Sequence, residues 1–217
     1  MKKHILILMV ILAGIGNAFA QGFVNLDFES ANLSGYSAGS VPASDAIPGW
    51  TAYLGGVALS NINYNIGGSG NMVAIVGVNP IQGNYFIHIQ GNGSDNTQAS
   101  IGQTGTIPVT AQSLIYWGGG FGQNDISFNG QTLSFTALGF GANYVIYGID
   151  ISAFAGQTGQ LLFTSSYWPA AVGDNIDNIQ FSSSPIPEPS AVSLLLLGSG
   201  VLIFVRRNHK SRARTVP

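Results

Sequence analysis

The chain of 217 residues contains no cysteine. That absence removes thiol nucleophiles, disulfides and thiolate zinc sites together. Cations are nearly as scarce: Lys2 and Lys3 stand at the start, Arg206, Arg207, Lys210, Arg212 and Arg214 at the end, and no lysine or arginine lies between Ile5 and Val205. Eight of the nine acidic residues (Asp27, Glu29, Asp45, Asp95, Asp125, Asp150, Asp174 and Asp177) fall within residues 21–184. That stretch carries a formal charge of −8, although the whole chain averages −2. Such a surface is repelled by nucleic acid and by anionic lipid, so nucleic-acid binding is excluded. His88 is the single histidine of the stretch, which excludes a histidine-rich metal site and leaves one base for any Ser-His-Asp triad. Its place in the middle of an alternating strand argues for a structural imidazole. The body is therefore read as noncatalytic. A carboxylate pair for glycoside hydrolysis stays open as the alternative, since any two of the eight acids would suffice.

Charge being confined to the ends, the ends read as addresses. "MKKHILILMVILAGIGNAFAQ" has a basic start, an apolar stretch and the small-x-small ending Ala18-Phe19-Ala20, the anatomy of a secretory signal peptide over residues 1–20 with cleavage before Gln21. At the other end, Ala191 to Val205 runs without a charge and is followed at once by the basic cluster. As a helix it spans about 22 Å at 1.5 Å per residue, somewhat short of the roughly 30 Å hydrocarbon core. Snorkelling or local thinning of the bilayer meets that deficit. Basic residues beside an apolar span stay on the cytoplasmic side, which leaves residues 21–184 outside.

Those residues, about 160 in all, make one domain of ordinary size. "FIHIQ" puts Phe86, His88 and Gln90 on one face and Ile87 and Ile89 on the other. "MVAIVGV", "SLIYW", "NYVIYGID", "QLLFTSS" and "NIDNIQF" are further strand candidates. In "DISFNGQTLSFTA" the Asn129-Gly130 pair suits a two-residue turn that needs φ > 0 at both positions, so a hairpin is expected there. No stretch sustains a 3.6-residue apolar period with caps. Many short strands with glycine- and asparagine-rich turns predict an all-β fold, a single β-sandwich or jelly roll, flanked by the signal peptide and a C-terminal transmembrane helix.

The tail then carries a resemblance. Pro187-Glu188-Pro189, an apolar span and an arginine-rich end that includes Arg206 and Arg207 resemble, in that order over residues 185–217, the PEP-CTERM sorting signal of exported bacterial proteins. Two prolines fix φ and keep such a peptide extended. The resemblance implies recognition and cleavage by an exosortase of the inner membrane, release or transfer to the cell surface or extracellular matrix, and a producer of exopolysaccharide. The body, through "NLDFES", "IPGW", "ASIGQTGTIPV", "SFNGQTLSF" and "DNIDNIQFS", is similar to galactose-binding-like jelly rolls. That likeness implies first and last strands close together, so that Asp27 or Glu29 meets Asp174 or Asp177.

Two candidate sites follow. Asn25, Asp27 and Glu29 are two apart, so on a strand they share a face, and a carboxylate row needs either water or a cation. With Asp174 and Asp177 they make candidate ligands for a structural Ca²⁺, which takes oxygen donors in sixes to eights. The solvated alternative remains open, and "GNGSDN" at Gly91–Asn96 reads as a polar turn. Trp50, Tyr53, Tyr116, Trp117, Tyr167 and Trp168 offer flat faces for sugar rings. Trp117 is expected in the core, whereas Tyr167-Trp168 before Pro169 reads as an exposed loop pair and is the candidate glycan contact. The expected role is a surface or matrix protein that contacts extracellular polysaccharide. A purely structural coat protein is the remaining reading.

Overall fold

A computed structural model describes residues 22–67, 70–92, 97–120, 124–165 and 173–186. The proposed signal peptide, Tyr167 and Trp168, Asp95, and the tail with Pro187, Glu188, Pro189, Arg206 and Arg207 lie outside the described residues.

The strands are β1 (Gly39–Pro42), β2 (Thr51–Leu54), β3 (Val57–Ala58), β4 (Asn61–Tyr64), β5 (Met72–Val76), β6 (Phe86–Gln90), β7 (Ala99–Thr106), β8 (Ser113–Gly120), β9 (Asn124–Phe128), β10 (Gln131–Leu133), β11 (Phe135–Phe140), β12 (Val145–Asp150), β13 (Thr158–Ser165) and β14 (Gly173–Ser182). The only helical pieces among the described residues are α1 (Ala43–Ala46) and a 3-10 turn at Ser152–Phe154. None is long or apolar enough to cross a membrane. The strands form an eight-stranded sheet in the order β1-β4-β5-β6-β14-β8-β12-β11 and a six-stranded sheet in the order β10-β9-β13-β7-β2-β3. All neighbours are antiparallel except β4 and β5, and the two sheets face each other as a jelly-roll sandwich.

Period-two alternation explains the core. Ile87 and Ile89 of β6, Leu114 and Tyr116 of β8, and Ile176 of β14 point between the sheets and are buried. From the other sheet come Ile101, Ile126, Phe128, Leu161 and Phe163. Tyr116 meets Phe163 edge-on across the gap, with ring centroids 5.5 Å apart, and Trp50 packs between Phe28 and Phe163. Burying each of these aromatic side chains is worth about 1.5–3 kcal/mol. The expected hairpin is present: Asn129 and Gly130 have φ of 50° and 77°, and β10 pairs back on β9 with Gln131 opposite Phe128.

Two expectations are corrected. The stretch around Asn25, Asp27 and Glu29 is a set of turns rather than a strand, with Asn25 and Phe28 at φ of 50° and 59°. Side chains drive that outcome: Asn25 Oδ1 accepts from the Ser30 amide, and Asp27 Oδ1 accepts from the Glu29 amide. Local bonds of this kind compete with a sheet ladder. Trp117 is likewise not in the core. Tyr116 takes the inward position, so its neighbour faces out.

β14 lies between β6 and β8 in the larger sheet and leads to the last described residues. The Ser113 hydroxyl donates to the Ser184 carbonyl at 2.8 Å. Ile186 and Leu138 both sit over Gly148, where an added Cβ would come within 3.1 Å of Ile186 Cδ1. The body thus stays packed up to the residue before Pro187.

Candidate functional site

The outer face of the eight-stranded sheet collects the polar and aromatic side chains that alternation turns away from the core. His88 and Asn175 are register partners on β6 and β14. His88 Nδ1 lies 2.8 Å from Asn175 Oδ1, and Nε2 lies 3.3 Å from Gln90 Oε1. Gln90 in turn donates to the Gly70 carbonyl at 2.7 Å. The imidazole lies across Gly173, where any Cβ would collide with the ring, so this position needs glycine.

On the far side of β14 the register continues Asn175 opposite Gly119 and Asp177 opposite Trp117. Trp117 stacks on Tyr144 with centroids 4.6 Å apart and planes 8° from parallel. Both rings are half-buried, so the pair presents apolar surface beside amides and an imidazole. Gly119 lies between Asn175 and this stretch of β8, closely covered by the Asn143 backbone. A Cβ there would stand 3.0 Å from the Asn143 carbonyl oxygen and 3.6 Å from Asn175 Nδ2. The result is an outer face that carries His88, Asn175 and a flat aromatic stack, with the buried Gln90 holding His88 from behind. Such a face can hydrogen-bond hydroxyls and cover the apolar face of a ring.

An acidic corner adjoins it. Asp177 is fully buried. Its Oδ2 accepts from the Gln82 amide at 2.9 Å and its Oδ1 from the Asn178 amide at 2.7 Å. Burial pushes its pKa up from the ordinary 3.8 to about 7 against those two hydrogen bonds, with the Glu29 and Asp27 charges adding to the rise. Asn178, at φ 47°, marks the bulge that lets β14 slip one residue against β8 between Asp177 and Gln180. The Ile179 amide donates to the Leu26 carbonyl, which ties the first segment to the last strand.

Of the candidate calcium ligands, Asp27 and Glu29 lie near enough to Asp177 for their charges to act on it, but the three are not gathered around a common point. Asp174 lies elsewhere on the strand, buried opposite Ile89 and Gly120, close enough to Tyr147 to help raise that phenol, whose main cause of elevation is burial. Glu29 accepts from the Asn84 and Tyr85 amides and from Asn84 Nδ2, and both Asp177 oxygens are likewise engaged. Among the described residues no group of three or more His, Asp or Glu side chains is gathered to hold a metal ion. As arranged, the corner does not offer calcium its six to eight oxygens. The missing cationic partners are replaced by neutral N–H donors, which sequence counting could not reveal.

These features define a two-sheet β-sandwich that carries polar and aromatic side chains on the outer face of one sheet. Residues 185–210 match the PEP-CTERM protein-sorting motif. That motif is an exosortase recognition signal and marks an exported protein, membrane-anchored before processing. No curated protein matches the chain. Among solved structures, the enzymatically active domain of bacteriophage CBA120 tailspike protein 4 is similar at 13% identity and TM-score 0.42, over 72% of this chain and 21% of that one. The chain thus spans about a fifth of the tailspike domain's length. The family 11 carbohydrate-binding module of the Clostridium thermocellum cellulosomal cellulase Lic26A-Cel5E is similar at 10% identity and TM-score 0.40, over 70% of this chain and 99% of that one. The same organism's family 11 module in complex with a β-1,3-1,4-mixed-linked tetrasaccharide gives 10% identity and TM-score 0.38, over 70% of this chain and all of that one. None of these neighbours assigns a role to a residue here.

Proposed function

We propose that this protein is delivered to the cell surface or extracellular matrix and there binds extracellular polysaccharide, without catalysis, through the outer face of its eight-stranded sheet. The observation that carries the reading is the stacked Trp117–Tyr144 pair, half-buried on the same face of the sheet as the hydrogen-bonded Asn175–His88 pair. Stacked rings and planar amides suit pyranose faces and hydroxyls, and no cation competes for the surface. Delivery rests on the sorting motif, preceded by the secretory signal read over residues 1–20, with the 191–205 span as the transient anchor. Tyr167 and Trp168 remain candidate additional contacts.

The noncatalytic reading draws on the acidic corner. A glycosidase pair needs two carboxyl groups that both reach the scissile bond. Asp177 is sealed beneath the Gln82 amide and cannot serve as the second carboxyl group for Glu29.

The test is retention on exopolysaccharide purified from the producing organism and immobilised on a column. Retention that Trp117→Ala and Asn175→Ala each weaken supports the reading. An unretained wild-type protein, or variants retained as well as wild type, sinks it. Intact mass of the protein from surface and medium tests delivery: a species beginning at Gln21 and ending near Pro187 to Pro189 is expected.

A further inference from the structure

A second recess lies beside the acidic corner, where β4, β5 and β6 meet the loops that precede and follow them. It is an open cleft of about 580 Å³ lined by Glu29, Tyr64, Gly77, Pro80, Asn84 and Tyr85, together with Ala31 and Gly83. That volume falls within the roughly 300–1,000 Å³ of small-ligand sites.

Its walls are built closely. Tyr64 and Tyr85 meet edge-on with centroids 6.5 Å apart, and their hydroxyls interact. Burial, Tyr64 and the nearby Glu29 charge hold the Tyr85 phenol above its ordinary pKa, so it stays a neutral donor. The Tyr85 ring lies over Gly77, where a Cβ would stand 3.2 Å from Cε1. Gly83, at φ 58°, is pressed against the Glu29 carboxylate, so any side chain there would push it aside. Glu29 Oε1 accepts from the Asn84 and Tyr85 amides at 2.7 and 2.9 Å, and Oε2 accepts from Asn84 Nδ2 at 2.8 Å. A carboxylate has about four acceptor sites. Three are used, and the remaining one belongs to Oε2, on a half-exposed side chain that lines the cleft.

A fixed carboxylate with one acceptor to spare, beside two tyrosine rings, is a hydroxyl-recognition site next to flat apolar walls. The chemistry also selects charge. The carboxylate repels anions, and with no lysine or arginine between Ile5 and Val205 nothing offsets it. A cationic ligand would find only one charged group in the lining. We infer that the Glu29–Tyr64–Tyr85 cleft binds a single neutral hexopyranose unit, which makes the body a two-sited glycan binder. The two-sited part rests on the polysaccharide reading above; the cleft itself does not.

The experiment is saturation-transfer NMR on the full chain in a detergent without a sugar headgroup. The probes are methyl β-galactoside, methyl α-glucoside and methyl α-mannoside, each alone, with glucuronate as the charged comparison. Transfer from at least one neutral glycoside and none from glucuronate is expected. Glu29→Gln keeps an acceptor for the Asn84 and Tyr85 amides but replaces the free acceptor by a donor, and should weaken binding about tenfold. Tyr64→Ala should do at least as much, and both losses should persist in a Trp117→Ala background. No transfer from any neutral glycoside at about 10 mM, or transfer that only Trp117→Ala removes, overturns the cleft assignment. Failure of column retention by the wild-type chain would overturn the polysaccharide reading separately, whatever the glycosides do.

Discussion

Asp177 makes stability depend on pH in an unusual direction. In the folded protein its pKa is about 7, against an ordinary 3.8 for the unfolded chain. Between those values the folded state holds a proton that the unfolded state has released, so stability is greatest at the acid end and falls as pH rises through the folded pKa. At about 1.4 kcal/mol per pKa unit the full difference would be about 4 kcal/mol. Of this, the part that falls between pH 5 and the folded pKa is about 2–3 kcal/mol. Urea unfolding of the processed protein should therefore give a higher midpoint at pH 5 than at pH 8. Asp177→Asn should flatten the profile while lowering the pH 5 value by about 1 kcal/mol, because one N–H loses its acceptor. Millimolar calcium should leave the slope unchanged, whereas a bound cation at the Asp27–Glu29–Asp177 corner would abolish it. A wild-type midpoint equal at both pH values, or a mutant with the wild-type slope, would refute the reasoning.

Three further outcomes are expected. Phe163→Ala, which removes the ring linking Trp50 and Tyr116 across the sandwich, should cost about 3–5 kcal/mol in chemical denaturation. Gly130→Val should destabilise the β9–β10 hairpin by more than 1 kcal/mol, roughly, since the turn holds that residue at φ 77°; an unchanged midpoint would show that the turn relaxes freely. Gly119→Leu should push the Asn143 carbonyl and Asn175 aside beside the Trp117–Tyr144 stack and reduce exopolysaccharide retention by about tenfold; retention equal to wild type would refute the placement of the site.

The fold was legible wherever a local pattern decides it. Alternation in "FIHIQ" set Ile87 and Ile89 on the face opposite His88, and the Asn129-Gly130 pair located its hairpin because only a few residue types tolerate that backbone. The site was less legible for two physical reasons. "IYW" places large aromatics on both faces of β8, and period two cannot say which face meets the second sheet, so Trp117 and Tyr116 were exchangeable on paper. The contacts that build the face also join residues far apart in sequence, as with His88 and Asn175, 87 positions apart. The acidic start failed differently, since Asn25 and Asp27 satisfy their own neighbourhood and make turns where spacing suggested a strand.

The placement of β14 has a mechanical meaning. While the sorting tail anchors the protein, any drag on the body is transmitted through Ser184 and Ile186 into a strand bonded on one side to β6 and on the other to β8. Tension along such a strand loads its ladder bonds together, in shear, instead of opening them one after another as it would when peeling an edge strand. The tether is thus attached to an interior strand of the larger sheet, and a pull on it cannot unravel the sandwich from an edge.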